Sequence, residues 1–133
     1  MKPETIQHLE TAARNRELAR ALISLGPTMG LPSPPFEWVA VVAFYAAVHY
    51  VNAILWEWGG VKPDTHTERT WYVDTHPPLA AFMRDYPHLN IHGWNARYAA
   101  GHRLPLPQAQ SLVEVNLLQI ERVVCSSLGV SPF

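Results

Sequence analysis

Cysteine is nearly missing from this chain: Cys125 stands alone in 133 residues. No disulfide can close within it, and cysteine ligands for a metal are absent. Charge of one sign is also scarce, since ten basic side chains face eleven acidic ones and the formal net charge is −1. A strongly basic nucleic-acid binder would look different, so any contact with RNA or DNA has to come from a local patch. No stretch alternates apolar and polar residues, no Gly-rich phosphate loop or Gly-x-Ser-x-Gly elbow occurs, no internal repeat is evident, and the carboxylates form no acid/base pair by spacing. The start, "MKPETIQHLE", is polar and lacks the look of a secretion signal, so a reducing cytoplasm is the expected location. Cys125, set in "VVCSSL", is expected to be a small buried hydrophobe.

What the chain does have is apolar surface and helical spacing. Apolar residues make up 48% of it, enough for one domain over residues 1–133 with a real core. "WVAVVAFYAAVHYVNAILW", Trp38 to Trp56, runs without a charge for about the length that crosses a bilayer. Tyr45, His49, Tyr50 and Asn52 near its middle would be costly in lipid, and no Lys or Arg cluster flanks it. It reads as the buried helix of a bundle, with no membrane partner.

Helices are expected over about 3–25, 36–58, 66–100 with interruptions, and 107–128, giving an all-α, up-and-down four-helix bundle whose third element is broken. In the first helix, Leu18, Ala21, Leu22 and Leu25 form the clearer apolar stripe, with Ile6, Leu9 and Ala13 upstream. "GPTMGLPSPP" separates it from the second, which stops at "WGG". Thr65 and Glu68 form a capping-box pattern that starts a helix at His66. "HPP" interrupts that helix, "PLAAFMRDY" should stop before Pro87, and Gly93 should split the stretch after it. In the last helix Val113, Leu117, Ile120 and Val124 recur at core spacing, with Leu112 and Val123 beside them.

Three constellations have chemical potential. Tyr45, His49, Asn52 and Trp56 lie on one face of the second helix, as a hydrogen-bonding seam that fixes register or as the wall of a site. His88 and His92 are four apart, with His66 or His76 as a conceivable third metal ligand. Pro87 and Gly93 bracket that pair and no carboxylate stands at a metal-binding spacing, so no metal and no cofactor are assigned. Residues 84–103 gather Arg84, Arg97 and Arg103 against the single acid Asp85, with three histidines and the aromatics Tyr86, Trp94 and Tyr98. Arginine grips phosphate oxygens, histidine moves protons near neutrality, and aromatic rings stack on unpaired bases.

"FYAAVHYVNAILWEWGGVKPDTHTER", then "ARYAAGH", then an amphipathic last helix, resembles the HEPN superfamily of small helical domains from about Trp38 to Val124. Tyr45, Ala46, Ala47, Ala53, Gly60, Pro63, Thr65 and His66 carry the first part of the likeness. Arg97 and His102, with four residues between them, match the arginine–histidine spacing of HEPN ribonucleases. The resemblance implies a homodimer with this motif in a cleft between protomers, and metal-independent RNA cleavage. Arg97 would orient the scissile phosphate and His102 would assist proton transfer. Tyr98 stands where the family commonly has a polar residue, and Leu104 where a tyrosine often occurs.

The expected function is therefore engagement of RNA or a nucleotide, up to endoribonuclease activity in a toxin–antitoxin or defence system, with an antitoxin or other protein as partner. His49, Asn52, Tyr45, His66 and Tyr98 are the expected binding residues around the catalytic pair. Two alternatives stand beside it. One is a non-catalytic interaction domain anchored by Trp56, Trp58, Trp71 and Trp94. The other is a small-ligand pocket lined by Tyr45, His49 and Trp56.

Overall fold

Alanine decides how the second helix is used. In α2, Glu37–Gly59, the side chains of Ala40, Ala43, Ala46, Ala47 and Ala53 are fully buried, as are Val39, Phe44, Val51 and Ile54. Methyl groups on several faces let neighbouring helices approach closely on more than one side, so α2 becomes the axis of a helical bundle. It is long and apolar enough to span a membrane, yet most of it is enclosed by the other helices. Gly60, in the left-handed conformation (φ 60°), ends it by donating its N–H to the Leu55 and Trp56 carbonyls. The computed structural model describes residues 1–133 except Pro78 and Met83, and contains no strand among the described residues. The chain is an all-α helical bundle.

Helix α1, Pro3–Leu25, runs antiparallel to α2: Thr5 and the Lys2 backbone bond to Glu57, while His8 meets His49. Its buried face is Thr5, Leu9, Ala12, Ala13, Arg16 and Ala19. The stripe expected from Leu18 and Leu25 is not the inward one, because these side chains are 48% and 58% exposed. The preference for large apolar residues misleads here: α1 needs small residues to lie against α2, and its Arg16 is drawn inward by a buried acid.

After an irregular linker, Thr65 caps α3, His66–Thr75, as its spacing predicts. The Thr65 hydroxyl accepts from the Glu68 N–H at 3.1 Å, and the Glu68 carboxylate accepts from the Asp64 N–H at 3.2 Å. A short 3₁₀ turn, Leu79–Phe82, leads to α4, Asp85–Tyr98. The expected helical piece "PLAAFMRDY" includes Pro78 and Met83, which lie outside the described residues.

Two expectations about α4 fail for instructive reasons. Pro87 does not stop a helix; it sits in the first turn, where a missing N–H costs nothing. Gly93 does not split one either. A Cβ there would lie 3.1 Å from Phe44 Cβ and 3.5 Å from the Ala40 carbonyl oxygen, so the glycine lets α4 rest on α2.

The last helical stretch comprises α5, Leu106–Ser111, a π-helical segment, Leu112–Leu117, and α6, Leu118–Leu128. It starts slightly earlier than the sequence predicts, with Pro107 inside its first turn. Val113, Leu117, Ile120 and Val124 are fully buried, as their spacing predicts. The π-helical winding leaves no mark in the residue pattern.

Glu121 of α6 is buried between helices, accepting hydrogen bonds from Arg16 of α1 and from the Tyr50 hydroxyl of α2. Burial opposes the charge on Arg16, but the Glu121 carboxylate outweighs it and pushes the Arg16 pKa up. Burial, then Glu121, likewise raises that of Tyr50. Cys125 is buried beside this group, and burial pushes its thiol up to about 11, leaving an inert side chain.

Removing one member of a buried ion pair strands the other. Arg16→Met should therefore lose about 3–5 kcal/mol of unfolding free energy in urea titrations. Arg16→Met combined with Glu121→Leu should recover most of that loss. An Arg16→Met midpoint equal to the parent's would show that the pair is not a stability determinant.

Candidate functional site

The polar seam of α2 is real, but each of its members takes a partner on another element. Tyr45 accepts a hydrogen bond from Arg97 of α4 at 2.8 Å. His49 and His8 of α1 share a hydrogen bond between their Nδ1 atoms at 2.9 Å. Asn52 accepts from the Nε of Arg69 on α3 at 3.0 Å. The Trp56 indole N–H donates to Glu4 of α1 at 3.3 Å. The four residues fix how three helices dock, and two of their partners are arginines.

Those arginines define the chemistry. Arg69 is buried, unlike most arginines, and besides Asn52 it donates to Nδ1 of His66 at 3.0 Å. The phenol of Tyr86 lies near it; burial pushes that hydroxyl up to about 12, and Arg69 opposes the rise. Arg97 lies over three rings, 5.9 Å from the centre of Phe44, 5.5 Å from Tyr45 and 5.3 Å from Tyr98. Its Nε is enclosed and has no hydrogen-bond partner among the described residues. His66 rests on the same Phe44 ring, with centroids 5.4 Å apart. Phe44 is thus a shared floor beneath His66 and Arg97.

Among the described residues neither Arg69 nor Arg97 pairs with a carboxylate. The uncompensated charge reaches the neighbouring histidines. His66 is lowered from its ordinary pKa by burial, then by Arg69 and Arg97. His8 is lowered by burial, Lys62 and Arg69, and His49 by burial, His8 and Arg69. Cations held close together without acids make a region suited to an anion. Beside it runs an exposed line of aromatics, in which Tyr98 stacks on Trp94 at 4.4 Å between centroids and is 64% exposed.

No hydrogen bond joins His102 to Arg97 among the described residues. Arg97 is in the last turn of α4, after which Gly101 turns the chain with φ 77° and the His102 N–H donates to the Ala99 carbonyl. The His102 ring centre lies 6.4 Å from that of His92. His92 and Arg97 are five residues apart on α4, about 140° around the helix, so their Cα–Cβ bonds leave it in different directions. His88, His92 and His102 form a histidine cluster beside a groove of about 290 Å³ that also meets Pro107 and Gln108. Neither His66 nor His76 joins them, since His66 lies on Phe44 and His76 packs on Tyr72. Among the described residues no group of three histidine, cysteine or acidic side chains is placed to hold a metal.

Of the three residues expected to line a small-ligand pocket, two meet at one groove. A groove of about 480 Å³ is lined by His49 and Trp56 with Glu4, His8, Thr11 and Lys62, and Tyr45 takes no part in it. Sequence reasoning missed Arg69 and His8. Arg69 had a signal, since it stands three residues after His66 and would share its helix face. His8 had none, because its partner is 41 residues away. Comparison of the chain with protein-family models and with curated proteins returns no match.

The histidines give a pH prediction. His8, His49, His66 and His92 all lie below their ordinary value of 6.5 when folded. As pH falls through that value, the unfolded chain takes up protons that the folded chain refuses, so stability falls. The urea midpoint should therefore drop between about pH 7.5 and 5.5, before the carboxylates titrate. His49→Gln should flatten part of that slope. A midpoint that rises on acidification would contradict the assignment.

Proposed function

We propose that this chain is a HEPN-like domain that engages RNA or a nucleotide through Arg97 and the residues around it. One observation carries the reading: Arg97 is held by Tyr45 over the Phe44 floor, free of any carboxylate among the described residues, next to the exposed rings of Tyr98 and Trp94. Phosphate oxygens suit the guanidinium, and unpaired bases suit the rings. Tyr45, His66 and Tyr98 belong to this site; Asn52 supports it through Arg69, and His49 stands on its α1 side. Metal-independent endoribonuclease activity in a toxin–antitoxin or defence setting is the enzymatic form of the proposal. Arg97 and His102 share no hydrogen bond among the described residues, so cleavage by this pair would need the two brought together, as in a homodimer in which His102 comes from the second copy.

A non-catalytic interaction domain is the second reading, favoured by the outward face of α4, where Ile91, Trp94 and Tyr98 are all more than half exposed. Large aromatic side chains of that kind anchor protein interfaces.

Binding of labelled single-stranded RNA, measured by fluorescence anisotropy at several salt concentrations, separates the two. The proposal expects affinity that falls with salt, weakened by about tenfold or more in Arg97→Ala and also reduced in Trp94→Ala. Absence of RNA binding at low salt, with a dimer that dissociates on Trp94→Ala, would favour the interaction domain. If the parent cleaves RNA and a folded His102→Ala variant cleaves equally fast, His102 has no acid/base role.

A further inference from the structure

The arrangement around His66 fixes more than its position. An arginine guanidinium can only donate hydrogen bonds. Its 3.0 Å contact with His66 therefore makes Nδ1 of that histidine the acceptor, with a lone pair and no proton. The ring proton must then sit on Nε2, on the opposite edge, where it meets no partner among the described residues. Arg69 cannot turn away freely, because it is buried and its Nε is committed to Asn52 at 3.0 Å. The chain Asn52–Arg69–His66 runs from α2 through α3 to the surface and holds the imidazole neutral, in one tautomer. Protonating Nδ1 would set an N–H against the Arg69 N–H and break the chain.

We infer that His66 is an anion-binding residue of the Arg97 site, in which its neutral Nε2–H and the Arg97 guanidinium donate side by side to the oxygens of one phosphodiester, with Arg69 as the residue that sets the tautomer. This rests on the proposed engagement of RNA. Both donors pack against the fully buried Phe44, His66 at 5.4 Å and Arg97 at 5.9 Å from its centroid, so they are neighbours in one layer over the core and an anion at the outer edge of that layer can meet both. The groups that face the imidazole are Arg69 from its own helix and Arg97 from α4, both cationic and both disfavouring imidazolium. With Nδ1 occupied, His66 does not act as a general base. It donates a hydrogen bond and keeps its proton, and no bond is made or broken at the ring.

Two measurements on the intact chain test this. Nitrogen-15 NMR of the imidazoles near neutral pH should show His66 with an unprotonated Nδ1 and a protonated Nε2, and Arg69→Met should abolish that preference. In anisotropy titrations with labelled single-stranded RNA, His66→Phe, which keeps a ring on Phe44 but has no donor, should bind about tenfold more weakly than the parent. His66→Gln, which keeps a donor and an acceptor, should bind within about threefold of it. Parent-like binding by His66→Phe, alongside weakened binding by Arg97→Ala, would overturn the role of His66 and leave the RNA reading standing. Loss of binding in His66→Gln equal to that in His66→Phe would also overturn it, as would an imidazolium or Nδ1–H signal. No binding by the parent would remove the RNA reading itself, and with it the ligand assigned here.

Discussion

Glu121 is the acid on which this bundle is organised. A carboxylate taken out of water must be matched by donors that arrive in the right place, and here they come from two other helices: the guanidinium of Arg16 and the hydroxyl of Tyr50. Any sliding or rotation of α1, α2 or α6 against one another would leave a buried charge without its partner. Apolar contacts tolerate small adjustments far better. The bundle thus obtains its cohesion from alanine, valine and leucine packing, and its register from one ionic junction.

A similar division of labour recurs along the polar face of α2. Tyr45, His49, Asn52 and Trp56 bond outward to α4, α1, α3 and α1 in turn, so the helix that supplies most of the core also supplies the hydrogen-bond acceptors and donors that position its neighbours. Two of the side chains recruited this way are guanidinium groups whose charge no carboxylate among the described residues pairs with. The supports of the fold and the chemistry of the surface are therefore the same residues seen from opposite ends.

Features that depend on local sequence are legible in the residues alone. Thr65 and Glu68 announce a helix start because the capping box closes within four residues, and Val113 to Val124 announce a buried face because the pattern repeats along one helix. Features that depend on distant partners are not. Leu18 looks like core and is half exposed, whereas Arg16 looks like surface and is buried, because Glu121 lies 105 residues away. Pro87 and Gly93 are ordinarily breakers; here one occupies a first turn and the other makes room for Phe44. The Tyr45–Arg97 half of the site is built from residues singled out in the sequence. Arg69 and the approach of His102 to His92 required knowing how α3 docks and where the chain turns after α4.

Gly93 bears on the proposed recognition as well as on packing. It lies one helical turn before Arg97, and its missing side chain sets how closely α4 can lie on Phe44. The height of the guanidinium above that ring is thereby determined by a residue with no atoms of its own to offer a ligand. A bulkier side chain at this point would lift α4 from Phe44 and carry Arg97 away with it while leaving the identity of every polar group unchanged. If the proposed site takes an anion, selectivity between slender and bulky ones would be tuned from beneath it, by the thickness of the layer on which α4 rests.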